Sequence, residues 1–293
     1  MVDFSITEAA CTGLRFAEQR PKAVLFLALA QWALTLLVIG AMFIQFGPIL
    51  TQLTTLSAGE RPSPAEALAM FKGLAPLYLE LIVGALAFYG VLFSAMNRAV
   101  LRPDDDAFGY LRLGADELRQ IGLMLLLMLL GLGIEVVCGI VLGVALVVLH
   151  LVLPPAATAP LRVLVAVAVV AAFVFLHVRF SLASADTFAS KRISVFGSWN
   201  LTKGYFWPML GTYVLAFFLF IVLALVCWLA IFAITYFLPG GGFTGLRPHP
   251  GVPVFSTFFT PAAILGSLLE SLAYAVALPV LLTPAPAIYR ALA

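Results

Sequence analysis

Residues 119–150 read RQIGLMLLLMLLGLGIEVVCGIVLGVALVVLH, and between Gln120 and Leu149 the one charged residue is Glu135. A helix needs about 20 mostly apolar residues to cross the roughly 30 Å of hydrocarbon in a bilayer. This run exceeds that, so it can tilt or extend past the membrane. Backbone polar groups have no water to bond in lipid and must be satisfied inside the segment, which makes the run a helix. The alternation of a barrel strand is absent.

Five further stretches read the same way, near 23–46, 76–97, 160–182, 206–238 and 261–288. Composition agrees. The chain is 63% hydrophobic and 10% charged, whereas a soluble domain carries roughly a quarter of its residues charged. Most of its outer surface must therefore face hydrocarbon. A formal charge of +2 gives no ground for a nucleic-acid partner. Cys11, Cys138 and Cys227 form no CxxC pair and read as small packing residues. The first segment carries Asp3, Glu8 and Glu18, and the apolar run after it is too long for a signal-peptide core.

Orientation follows from Lys and Arg in the connections. One side collects Arg15, Arg20, Lys22, Arg98, Arg102, Arg112, Arg119, Arg179, Lys191, Arg192, Lys203 and Arg290, against Arg61, Lys72, Arg162 and Arg247 on the other. The expectation is that both termini are cytoplasmic.

The connections on that richer side resemble one another. Residues 108–113 read Phe-Gly-Tyr-Leu-Arg-Leu and residues 196–201 read Phe-Gly-Ser-Trp-Asn-Leu. Three helices end in Asn97-Arg98-Ala99, Val178-Arg179-Phe180 and Tyr289-Arg290-Ala291. At the N-terminus Ser5 and Glu8 form a capping box before Ile6, Ala9, Gly13, Phe16 and Ala17 at helical spacing. The expected architecture is an all-α integral membrane protein, one transmembrane domain over 1–293. Its six transmembrane helices are arranged as three repeats, about 5–100, 104–186 and 190–293, each an interfacial helix followed by a transmembrane hairpin. Asp104, Asp105 and Asp106 would cap the second interfacial helix, and Ser190 or Ser194 the third. Arg98, Arg179 and Arg290 are expected to snorkel to lipid phosphate. Trp199, Lys203, Phe108 and Phe196 would lie at the headgroup level with them.

The stretch Phe196-Gly-Ser-Trp-Asn-Leu-Thr-Lys-Gly-Tyr-Phe-Trp207, with Pro284-Ala-Pro-Ala-Ile-Tyr-Arg290, resembles a family of bacterial membrane proteins. That family is described as similar to the glycerophosphoryl diester phosphodiesterase membrane domain. The resemblance implies a six-helix protein of the bacterial inner membrane that is accessory or lipid-associated. It implies no activity, because the phosphodiesterase chemistry belongs to a separate soluble barrel.

Three carboxylates fall within the spans: Glu80, Glu135 and Glu270, the last flanked by Ser267 and Ser271. An ionised side chain at mid-bilayer costs about 2.5–3.5 kcal/mol on insertion scales, so each needs a reason. One reading is a proton or cation pathway; the other is interhelical hydrogen bonding that fixes packing. Gly131, Gly133, Gly139 and Gly143, with a GxxxG at 139–143, suggest close helix contact, within the chain or between copies of a homo-oligomer. Pro279, Pro284 and Pro286 should kink or end the last helix.

His150, His177 and His249 have no ligand spacing, so neither a metal centre nor a cofactor is expected. Ser267 lacks the small residue after it that a nucleophile elbow needs, and no catalytic residue stands out. The segment near 63–73 reads as a short outer amphipathic helix opened by Ser63-Pro64-Ala65-Glu66. The stretch near 239–259 reads as a Gly- and Pro-rich loop whose Phe255, Phe258 and Phe259 dip into the outer interface. The functional expectation is a non-enzymatic protein that organises or holds membrane lipid as a homo-oligomer. The alternative is a small proton- or cation-coupled transporter or channel that uses the three carboxylates.

Overall fold

The computed structural model of the chain describes residues 4–56, 63–152, 155–238 and 260–293, and among them every regular element is helical. Six helices are long: α3 (Pro21–Leu56), α4 (Pro64–Leu101), α5 (Ala115–Val152), α6 (Pro155–Phe180), α9 (Phe206–Thr235) and α10 (Pro261–Leu282). Short elements join them at one end: α1 (Ile6–Ala10), α2 (Thr12–Gln19), a 3₁₀ turn (Ala107–Tyr110), α7 (Ala183–Ser190), α8 (Gly197–Leu201) and α11 (Pro284–Leu292). The six long helices are long and apolar enough to cross a membrane. The protein is an all-α, multi-pass membrane architecture, as the sequence implies.

Local sequence sets the helix ends. Proline opens α3, α4, α6, α10 and α11, where its fixed φ suits the first turn and its missing N–H would have no partner anyway. Thr260 caps α10 by accepting the amide of Ala263 at 3.2 Å, and Ser5 caps α1 by accepting that of Glu8 at 3.4 Å. The last span breaks where the prolines predict. Thr283 ends α10, its hydroxyl donating to the Pro279 carbonyl at 2.8 Å, and Pro284 starts α11.

Helix α4 packs on α5, α9 on α10 and α10 on α3, while α6 touches α5 and α9. The buried core gathers at the end that holds the termini. One cluster joins Phe16, Ala23, Leu27, Leu92, Met96, Tyr110 and Leu278; another joins Ala9, Val178, Leu182, Met209 and Ile288. Elsewhere α5, α6 and α9 turn Val137, Val141, Val163, Val167, Leu225 and their like outward. In lipid such exposure carries no hydrophobic penalty, so association must come from close packing and hydrogen bonds. Gly13 gives an example: a Cβ there would strike the backbone of Pro279 and Val280, so only glycine lets α2 lie against α10.

Three expectations are corrected. The segment near 63–73 is no separate outer helix, because α4 runs unbroken from Pro64, carrying Pro76 within it. Residues 104–106 do not cap an amphipathic helix; they lead into the 3₁₀ turn, and Asp106 makes no side-chain cap bond. Neither Ser190 nor Ser194 caps α8, whose N-cap is Phe196. The amphipathic faces of α1 and α2 bury Ala9, Ala10, Gly13 and Phe16 against the helical bundle. The loop near 239–259, with His249, Phe255, Phe258 and Phe259, lies outside the described residues, as does the side chain of His150.

Candidate functional site

Two arginines at helix ends organise the end that carries the termini, and they do so in opposite ways. Arg98 sits in the last turn of α4 with 3% of its side chain exposed. Its Nη2 donates to Glu117 Oε1 at 2.7 Å, in the first turn of α5, and its Nη1 donates to the carbonyl of Tyr110. Asp105 lies 3.7 Å from its Nε and Asp116 4.0 Å from its Nη2. Around this pair, Arg102 reaches Asp116 at 3.8 Å, Arg119 reaches Asp116 at 2.6 Å, and Arg112 pairs with Asp105. The ring of Phe188 on α7 lies under Arg98 at 5.6 Å and Arg102 at 4.7 Å. Arg98 therefore turns inward and pairs with carboxylates instead of snorkelling to phosphate.

Tyr110 joins this node to the N-terminal segment. Its hydroxyl donates to the Pro103 carbonyl at 2.9 Å, which also accepts from Arg20 at 2.9 Å, and Arg20 lies 5.2 Å over the ring. Phe108, Gly109 and Tyr110 are consecutively left-handed, with φ of 52°, 64° and 69°. For non-glycine residues that conformation costs about 1–2 kcal/mol each. The contacts of Tyr110 and the bond from Arg98 to its carbonyl hold it there.

Beside the node, Asn97 of α4 donates to Ser184 Oγ at 2.9 Å and Gln120 of α5 donates to the Ser184 carbonyl at 2.8 Å. The Ser184 hydroxyl donates back to Gln120 Oε1 at 2.9 Å. Asn97 and Gln120 are fully buried, and this closed network fixes α4, α5 and α7 together. Arg290 of α11 donates to the Val100 carbonyl at 3.1 Å, and Tyr289 donates to Asp186 at 3.3 Å, so the C-terminal helix docks on α4 and α7.

Arg179, in the last turn of α6, has no such acid among the described residues. Its guanidinium lies in the corner formed by the rings of Phe175 and Trp199, 5.2 and 5.3 Å from their centres. Its Nη1 donates to Thr202 Oγ1 at 3.2 Å, and its enclosed Nε has no acceptor. Ser198 sets this clasp: its hydroxyl donates to the Arg179 carbonyl at 2.6 Å and accepts from the Leu182 amide at 3.1 Å, which pins α8 to the end of α6. Phe180 then packs on Trp199 and Phe196, at 5.6 and 6.0 Å between ring centres. Phe196, Lys203 and Trp207 are exposed beside it, and Phe108 is exposed on the 3₁₀ turn.

The three intramembrane carboxylates do not share a site. Glu80, Glu135 and Glu270 each stand on an exposed helix face, on α4, α5 and α10. Neither described cavity is lined by any of them. The serines beside Glu270 serve packing. Ser267 accepts from Trp32 Nε1 of α3 at 3.1 Å and donates to the Ile264 carbonyl, while Ser271 donates to the Ser267 carbonyl at 2.8 Å.

Asn97, Tyr110, Glu117, Gln120, Ser184 and Phe188 escaped the sequence reading as site residues. Asp116 and Glu117 offered a signal, two acids opening an apolar helix within one loop of Arg98. No protein-family model, curated protein or solved structure matches this chain.

Proposed function

We propose that this chain is a non-enzymatic, multi-pass protein of a bacterial inner membrane, termini cytoplasmic, that holds and organises phospholipid as a homo-oligomer. The observation that carries the reading is the rim at the end holding the termini. There the exposed apolar faces of α6 and α9 give way to exposed Phe196, Trp207, Ile193, Lys191 and Lys203. Aromatic rings and cations on one border suit the headgroup layer, where rings bury in the interface and cations meet phosphate. The Lys and Arg bias of the same end favours the cytoplasmic leaflet.

The likeness of residues 196–207 and 284–290 to the bacterial membrane-domain family supports the same reading. Both stretches contribute to this end: Trp199 closes over Arg179, and Tyr289 bonds Asp186. Transport through Glu80, Glu135 and Glu270 has weaker support, because the three occupy exposed faces of separate helices.

Native mass spectrometry of the detergent-purified protein, beside flux measurements in vesicles, tests the proposal. Retained phospholipid on a defined oligomer is the expected result. A lipid-free monomer that conducts protons would overturn it.

A further inference from the structure

Arg98 and Arg179 occupy the same place in the chain's pattern, an arginine closing a spanning helix, yet only Arg98 is neutralised. Around Arg98 stand Glu117, Asp105 and Asp116. Around Arg179 the described residues supply one neutral acceptor, Thr202 Oγ1, and no carboxylate within ion-pair reach. A guanidinium carries five N–H donors in a rigid planar fork, so most of this one's donors remain unused.

The setting is built, not incidental. Phe175 and Trp199 meet edge to face, 6.0 Å between centres, and form two adjoining walls of a corner that holds the fork, while Phe180 packs on Trp199 at 5.6 Å. Buried Ser198 ties the helix carrying Trp199 to the carbonyl of Arg179 itself. The corner encloses Nε, which has no acceptor among the described residues, and leaves the rest of the fork partly open. A planar fork of this kind pairs with the paired oxygens of a phosphate. Low local dielectric strengthens such a pair and makes an uncompensated cation there costly. The fork lies at the end of a spanning helix, where phosphodiester oxygens are the abundant anion, and exposed Phe196 and Trp207 stand ready for glycerol and upper acyl carbons.

We propose that Arg179, cornered by Phe175 and Trp199, binds the phosphate of one phospholipid whose acyl chains lie along α6 and α9. The assignment rests on the lipid-holding reading and gives it a discrete site.

The test is native mass spectrometry of the full-length protein in detergent, titrated with phosphatidylglycerol. Wild type should show one lipid adduct that outlasts the others on collisional activation. Arg179→Gln should weaken that adduct about tenfold, while Arg15→Gln, an exposed cation of α2 that is not part of this rim, leaves it in place. Equal persistence in Arg179→Gln overturns the site while leaving lipid holding intact. Absence of any retained lipid on the wild type overturns the lipid-holding reading with it. An Arg179-dependent adduct of inorganic phosphate that displaces the lipid assigns the fork to a soluble anion and overturns the lipid assignment. Should Arg179→Gln fail to assemble, Arg179→Lys carries the comparison, since lysine keeps the charge and loses the fork and stacking. Wild-type persistence in that variant overturns the proposal.

Discussion

Arg98 and Glu117 form an ion pair at 2.7 Å with side chains 3% and 4% exposed, joining the end of α4 to the start of α5 across nineteen residues of sequence. Removing one partner of such a pair leaves a charge without compensation, at a cost of about 3–5 kcal/mol. Glu117→Ala should therefore lower unfolding stability in detergent by about that amount. Asp105 and Asp116 lie farther from Arg98 and offset only part of the loss. The double variant Arg98→Met, Glu117→Leu should recover most of it, because an apolar pair of similar volume is often as stable as the ion pair it replaces. Chemical denaturation in mild detergent, read by circular dichroism, gives the comparison. A Glu117→Ala variant as stable as wild type would show that the pair does not hold α4 to α5.

Phe108 presents a competition between backbone and membrane. Its φ of 52° is strained for a phenylalanine, while the residue is 72% exposed. Phe108→Gly should relieve the strain and raise stability in detergent by about 1 kcal/mol. In vesicles the same change removes an aromatic anchor from the interface, so the gain should shrink or reverse. A loss of stability in detergent would mean that the ring packs on protein and not on lipid.

The six spans were legible because hydrocarbon imposes one requirement, about 20 apolar residues in a helix, that composition alone answers. The break at Thr283 was legible too, since Pro279, Pro284 and Pro286 fall close together, whereas α4 absorbs the single Pro76. The connections obey no such single rule. Residues 104–110 carry acids and aromatics suited to an amphipathic helix. The Tyr110 carbonyl instead meets Arg98 and its hydroxyl meets Pro103, contacts that a left-handed turn permits. The helix-end patterns of Arg98 and Arg179 look alike in sequence. What separates them, Glu117 for one and the rings of Phe175 and Trp199 for the other, depends on which helices meet. The N-terminal amphipathic pattern was correctly helical, but periodicity cannot say whether an apolar face meets lipid or protein. Here Ala9 and Phe16 meet protein.

Gly13 tests that protein contact. A methyl group at this position would run into the backbone of Pro279 and Val280, which cannot yield as a flexible side chain would. Gly13→Ala should gain slightly in helix propensity, yet lose about 1–3 kcal/mol through overpacking. The loss should be local, appearing as faster hydrogen exchange in residues 6–19 and in α11 before the spans respond. Unchanged exchange in that segment would show that α2 does not rest on α10.

Self-association is tested on the far side of α5. Gly131, Glu135, Gly139 and Gly143 recur every four residues and so share one helix face. Within a single chain a Cβ at any of the three glycines would meet nothing within 4 Å. Gly139→Leu should therefore leave the fold of one copy intact, and it improves helix propensity. If this face is where copies meet, leucine denies the backbones their close approach and weakens association by about 1 kcal/mol, roughly fivefold. Energy transfer between labelled copies diluted in vesicles measures that directly. Glu135→Gln keeps a side chain able to hydrogen-bond across the interface and should associate as wild type does. Unchanged energy transfer in Gly139→Leu would remove this face from the oligomer. A proton flux in wild-type vesicles that vanishes in Glu135→Gln would assign the carboxylate to transport.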